Sequence, residues 1–250
     1  MSFDITELIY RVPNFLSDNE CDSLISEYEE RSSEFSLEQC PDANTGIDTQ
    51  SSFQMISLLE GTKNYDLLFR KTEQAINEYM DYLESKGSFH MPLMRRSLNY
   101  SHMYRLLKYG PGNKIHPHTD HDPLIYGSVT FNLNDNYTGG EFKFFNGKHT
   151  VKLKRGDMMI WPADYYWVHE VTPVETGYRY STNSFLLSVS PEFKNDLIGN
   201  LDVLESNYYR KNNKIPPVKY DITQFTQKNM TRDYWKEKAP KWLQSLGMTK

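Results

Sequence analysis

The chain has 250 residues, 38% of them hydrophobic, and a formal charge of −5 at pH 7. That length allows burial of roughly 70–75% of the unfolded surface, enough for one sizeable core, and the acidic balance with scattered basic residues excludes nucleic acid as a default partner. Two cysteines, Cys21 and Cys40, give no disulfide framework; with no signal-like amino terminus and no apolar run near the roughly 20 residues of a membrane span, the expectation is a cytoplasmic protein without a membrane partner.

Ser17-Asp18-Asn19-Glu20 is a capping box, a hydroxyl that accepts from an early helix amide and a carboxylate that reaches back. It predicts a helix to about residue 30 with Cys21, Leu24, Ile25 and Tyr28 on one face. Residues 38–52, rich in Asp, Asn, Thr, Gly and Pro, read as a loop: a plain connector or a mobile cover over a substrate mouth. A strand is expected over 53–59. Leu68, Thr72, Ala75, Ile76, Tyr79, Met80 and Leu83 recur at helical spacing within 64–86, and Gly87 can end that helix. The stripe reads as core laid against a sheet, not as a cofactor box. Residues 88–98 read as connection.

From Ser101 the pattern changes from helical to alternating. Strands are predicted over 103–109, 126–133, 141–145, 150–153, 158–161, 168–173 and 178–189, with Asn146-Gly147 as a hairpin turn. Many short strands separated by turn residues suggest a sandwich or barrel. Residues 191–250, broken by Pro216-Pro217 and Pro240, read as an extension packed on the domain or as a docking surface.

Seven histidines are present, and only His118 is followed two positions later by an aspartate, Asp120. On an extended segment both side chains point to one face and can reach one ion. Two imidazoles and one carboxylate form a facial set that leaves open positions and suits non-haem ferrous iron, with zinc as the competing metal. His116 and His121 read as hydrogen-bonded or surface histidines close enough to support the ligands. His169 lies in Trp167-Val168-His169-Glu170-Val171, where alternation puts His169, Val171 and Pro173 on one face. Arg179 starts the last strand; an inward arginine there needs an anion, and its planar fork fits a carboxylate.

The segment resembles the Fe(II)- and 2-oxoglutarate-dependent dioxygenases of the prolyl 4-hydroxylase-like branch. Tyr109-Gly110-Pro111-Gly112, His118-Thr119-Asp120, Leu133-Asn134, Gly139-Gly140-Glu141-Phe142, Gly156-Asp157, His169-Glu170-Val171-Thr172-Pro173-Val174 and Gly177-Tyr178-Arg179-Tyr180 arrive in that branch's order and spacing. The opening Val12-Pro13-Asn14-Phe15-Leu16-Ser17-Asp18-Asn19-Glu20-Cys21 looks like that branch's first helix. The resemblance implies a mainly β (α+β) fold, a double-stranded β-helix or jelly roll. Residues 1–190 would be one catalytic domain, with helical support in 1–100 and the jelly-roll core in 101–190. It further implies iron ligands at His118, Asp120 and His169, Arg179 gripping the distal carboxylate of 2-oxoglutarate, Tyr109 giving a hydroxyl to the same group, and Ser181 completing an Arg-x-Ser cosubstrate pattern. Phe185 stands where many relatives carry Trp and Asn132 where several carry Tyr, both at positions expected to face substrate or cosubstrate.

The implied activity is hydroxylation of an unactivated C–H bond with Fe(II), 2-oxoglutarate, dioxygen and ascorbate as an accessory reductant. A prolyl residue of a protein or peptide, of the procollagen-proline type, is the first substrate expectation; a free amino acid or other small molecule is second. Aspartate at 120 favours hydroxylation over halogenation. A jelly-roll module that binds metal without turnover and a zinc hydrolase are the competing classes, and cosubstrate use separates them.

Overall fold

The structure, a computed structural model, describes residues 4–187 apart from 88, 90, 92, 93, 95–97, 99 and 122–124. Its contacts divide the chain into two units, Met1–Val189 and Ser190–Lys250, and only the first is described below. The expected extension 191–250 and most of the connection 88–98 lie outside the described residues.

In chain order the elements are β1 (Tyr10–Val12), α1 (Asp18–Glu30), β2 (Ser36–Pro41), β3 (Asp48–Ser57), α2 (Lys63–Lys86), β4 (Tyr100–Tyr109), β5 (Ile115–His118) and β6 (Ile125–Asn132). There follow β7 (Thr138–Gly139), β8 (Phe142–Phe144), β9 (His149–Val151), β10 (Met158–Pro162), β11 (His169–Val171), β12 (Val174–Thr176) and β13 (Arg179–Leu187). One sheet has the order β1-β10-β6-β13-β4-β3-β2, a second β5-β11-β8-β9, and β12 pairs with β7. The registered pairings are antiparallel. This is the expected jelly-roll architecture with two supporting helices.

Alternation along the large sheet explains how it serves two layers. Tyr104 and Leu106 of β4, Val129 and Phe131 of β6, Met158 and Ile160 of β10 and Leu186 of β13 join one core with α1 and α2. The residues between them, Leu107, Tyr109, Met159 and Trp161, join a second core with Phe142, Phe144 and Val171 of the small sheet. Because side chains point alternately to opposite faces, a single strand such as β10 is apolar throughout and buried on both sides.

Both helices form as their residues dictate. Ser17 Oγ accepts from Glu20 N–H at 3.4 Å while Ser17 N–H donates to Glu20 Oε2 at 2.8 Å, completing the capping box. Gly87 ends α2 in the left-handed region at φ 68. The buried face of α2 includes Leu68, Thr72, Ala75, Tyr79, Met80 and Leu83, all the expected stripe except the half-buried Ile76.

The expected loop over 38–52 is corrected: most of it is the β2–β3 hairpin, and β3 begins at Asp48 rather than at 53. Residues 1–100 therefore supply three strands as well as helices. The cause is the neighbour across the hairpin's inner face. Glu38 and Cys40 line a cavity and only Phe53 of this face joins the second core as well, so the strands show little of the apolar alternation that marks a half-buried strand. Short β5, β7 and β12 also escaped sequence reading, since two to four residues carry too little periodicity.

Candidate metal centre

The expected extended pair is split by the end of its strand: His118 closes β5, and Asp120 lies just beyond it. His169 opens β11 and is the register partner of His118, so both imidazoles leave neighbouring strands on one side. Their ring centroids are 4.4 Å apart. Asp120 completes the group, with Oδ1 3.4 Å from His118 Nε2 and Oδ2 3.6 Å from His169 Nε2. One donor atom from each of the three lies within 4.8 Å of the others, a spacing that can hold a metal ion. Pro173, expected on the His169 face, is exposed, because β11 ends at Val171.

Backbone carbonyls fix both histidine tautomers. His118 Nδ1 lies 2.8 Å from the His116 carbonyl and His169 Nδ1 3.0 Å from the Trp167 carbonyl. A carbonyl only accepts, so each Nδ1 carries the proton and each Nε2 presents its lone pair to the centre. Ser128 Oγ–H donates to Asp120 Oδ2 at 2.5 Å, orienting the carboxylate. Burial favours the neutral carboxyl of Asp120, but the adjacent His169 and His118 and the Ser128 bond overcome it and hold the group well below the usual carboxylate range. Burial pushes His169 down to about 4, so this imidazole is neutral at physiological pH. Burial also opposes charge on His118, yet the hydrogen bond and charge of Asp120 win and raise it. Asp120 is thus ionised and His169 neutral, as a divalent metal requires, while His118 has to give up its extra proton when a metal binds.

Arg179 is 1% exposed and lies beside this group in one cavity of about 270 Å³. Its Nη1 donates to Ser181 Oγ at 2.9 Å, and its guanidinium lies over the Tyr109 and Phe142 rings at 5.0 and 5.3 Å. Nε and Nη2 are buried and have no hydrogen-bond partner among the described residues. A buried guanidinium with two unspent donors is costly unless an anion comes to it. Burial pushes the Tyr109 hydroxyl up, so it remains a neutral donor on the same wall. Gly140 makes room: at φ +65, a Cβ there would stand 2.9 Å from Arg179 Cδ.

Every expected site residue therefore lines one cavity: Tyr109, His118, Asp120, His169, Arg179 and Ser181. Phe185 lines it too. Asn132 does not, which corrects that expectation: its amide donates to the Asn134 carbonyl at 2.6 Å, and Tyr137 O–H donates to its Oδ1 at 3.2 Å, closing over it. His116, 9% exposed, sits 3.1 Å from the Cys40 carbonyl through Nε2. His121 packs on Tyr165 with centroids 4.0 Å apart. Sequence reasoning missed Ser128, Trp161, Glu38 and Arg105 on the cavity wall. Ser128 and Arg105 were readable in principle as polar residues at alternate positions of apolar strands.

Residues 104–187 match the model of the 2OG-Fe(II) oxygenase superfamily. A PKHD-type hydroxylase of Cupriavidus pinatubonensis is 36% identical over 80 residues, 30% of this chain and 34% of that protein. The chain thus spans about a third of the length of that curated relative. Among solved structures, the viral collagen prolyl hydroxylase of Paramecium Bursaria Chlorella virus-1, in its 2OG complex, shares the fold. The TM-score is 0.54 at 19% identity, over 73% of this chain and 97% of that one. A Trichoplax adhaerens prolyl hydroxylase bound to a hypoxia inducible factor peptide gives 0.52 at 17%, over 77% and 87%. Motif-bearing stretch and fold alike resemble the prolyl hydroxylase-like 2OG oxygenases.

Proposed function

We propose that this chain, with its prolyl hydroxylase-like 2OG oxygenase core, is an Fe(II)- and 2-oxoglutarate-dependent oxygenase that hydroxylates an unactivated C–H bond. The observation that carries the reading is Arg179: a buried guanidinium with two open donor positions in the same cavity as the His118–Asp120–His169 cluster. A cavity that only held metal would gain nothing from that buried charge. A prolyl residue in a protein or peptide is the substrate we favour, supported by the kinds of protein the chain resembles, one of which was solved with a peptide bound. A free amino acid is the second reading.

His118 and His169 would hold the metal through Nε2 and Asp120 through one carboxylate oxygen, leaving the remaining positions open. The bound iron supplies the dioxygen chemistry, with 2-oxoglutarate released as succinate and carbon dioxide and ascorbate as accessory reductant. The chain's own residues do the rest. Arg179 takes the distal carboxylate through Nε and Nη2, and Ser181 keeps its Nη1 occupied so that the fork faces the cavity. Tyr109 donates its hydroxyl to the same anion. Phe142, Trp161 and Val171 form dry walls that strengthen each of these contacts.

Anaerobic titration of the metal-free protein with Fe(II) and 2-oxoglutarate tests this. A charge-transfer band that needs both additions, and succinate formed on admitting air, are expected. Catalysis that proceeds without oxygen and 2-oxoglutarate would instead support a zinc hydrolase.

A further inference from the structure

Buried side-chain nitrogens without a partner gather in one place. Among the described residues they are Nε and Nη2 of Arg179, Nε1 of Trp161 and Nδ1 of His121, and all three residues line the cavity of the metal cluster. Native proteins leave few such groups unpaired, and each needs a cause. The proposed grip on 2-oxoglutarate occupies the two on Arg179 and leaves the others unused. A histidine nitrogen donates or accepts according to its tautomer, so His121 does not define what is missing. An indole N–H only donates, so Trp161 calls for an acceptor.

Trp161 is 3% exposed and stands on β10, where alternation turns it inward with Met159 and away from Met158 and Ile160 on the helix side. Its ring meets Phe142, Phe144 and His169 at centroid distances of 5.6, 5.8 and 5.2 Å. None of these takes the N–H as a normal acceptor. His169 gives Nδ1–H to the Trp167 carbonyl and turns Nε2 to the metal centre, and a phenyl face is only a weak acceptor. The same neighbours place the indole along the cavity wall. It touches His169, a proposed metal ligand, and Phe142, whose ring also faces the Arg179 guanidinium at 5.3 Å. Trp161 therefore borders both groups that would anchor the acid, and a keto dicarboxylate brings more oxygens than a guanidinium and a metal consume. The acid itself is the acceptor that this wall is built to meet.

We propose that Trp161 Nε1–H is a hydrogen-bond donor to the bound 2-oxoglutarate, and that Trp161 sets cosubstrate affinity rather than only packing the wall. This rests on the oxygenase reading. It predicts that a phenyl ring at this position keeps the wall dry but leaves the acid one donor short.

The test uses the full chain with isotope-labelled indole nitrogens, loaded with diamagnetic Zn(II). Each tryptophan gives one indole proton–nitrogen signal, and the signal absent from Trp161→Phe is its own. Adding 2-oxoglutarate should move that signal downfield and slow its exchange with water. Equilibrium dialysis should show Trp161→Phe binding 2-oxoglutarate more weakly by roughly tenfold, the loss of one hydrogen bond to a charged group, with Zn(II) affinity unchanged. If Trp161→Phe does not fold, benzothienylalanine in place of Trp161, which exchanges the N–H for sulfur within the same ring shape, supplies both the assignment and the affinity. A Trp161 signal that the acid leaves in place overturns the proposal and returns the N–H to a phenyl face or to the substrate. Equal 2-oxoglutarate affinity in parent and variant overturns it too. A parent that takes up no 2-oxoglutarate with Zn(II), Mn(II) or Fe(II) is a separate, earlier result, which removes the oxygenase reading and this donor with it.

Discussion

The metal end of the cavity and the Glu38–Arg105 pair on its wall are built differently. At the metal end, His118 and His169 are register partners on adjacent strands, and each imidazole is locked by the carbonyl two residues before it. Short side chains on paired backbone leave little freedom. Arg105 and Glu38, by contrast, are long side chains, and Glu38 comes from a hairpin at the edge of the large sheet. Geometry that a metal requires is set by the backbone ladder; the charged pair is set by side chains at an edge, where replacement costs the fold least.

Removing a ligand should break the metal end most completely. His118→Ala or Asp120→Ala is expected to abolish metal retention and turnover while the protein stays folded, since these groups face a cavity. Mn(II) binding by electron paramagnetic resonance, with thermal melting of the same samples, checks both halves. Full activity in either variant would reassign the ligands.

Arg179→Ala comes next. Each charge-assisted hydrogen bond contributes about 1.5–3 kcal/mol, so the 2-oxoglutarate requirement should rise by roughly tenfold or more per bond lost, with Mn(II) affinity retained. An unchanged requirement would mean that the guanidinium meets some other anion.

The metal end should also respond to pH, and the sign follows from its two histidines. His169, pushed down to about 4, carries no proton to displace near neutrality. His118 is raised, so below its pKa the metal must expel one proton from it. Affinity for Mn(II) should therefore climb with pH by up to tenfold per unit, about 1.4 kcal/mol, and flatten above the His118 pKa. In the metal-free protein the same raised pKa stabilises the fold below about 6.5 and loses that contribution as pH rises through the folded value.

The same contrast also explains what the sequence disclosed. Helix α1 was legible from Ser17 and Glu20, and α2 from its stripe and Gly87, because those signals are local. His118-x-Asp120 and the ordered motifs up to Arg179 were legible because resemblance fixes their spacing. The β2–β3 hairpin was not, since much of its inner face meets a cavity and shows little apolar alternation. Asn132 misled because the resemblance alone turned it toward substrate: Ser128 and Thr130 of its strand do line the cavity, but Tyr137, five residues on, caps Asn132. Arg105 and Glu38 are 67 residues apart and carry no motif; only the strand order β4-β3-β2 brings them together.

The smallest effect separates stability from the metal end. Ser17→Ala removes the oxygen that accepts from Glu20 N–H and ends the capping box. Loss of such a cap costs about 1 kcal/mol, to be read as a lower denaturant midpoint at unchanged slope. Helix α1 packs on the outer face of the large sheet through Cys21, Leu24 and Tyr28, away from the inward-facing residues of the same strands. Mn(II) and 2-oxoglutarate affinities should therefore match the parent. If 2-oxoglutarate affinity fell with stability alone, the loss expected from Arg179→Ala could reflect a loosened sheet; if it held, the metal end would stand on its own contacts rather than on global stability.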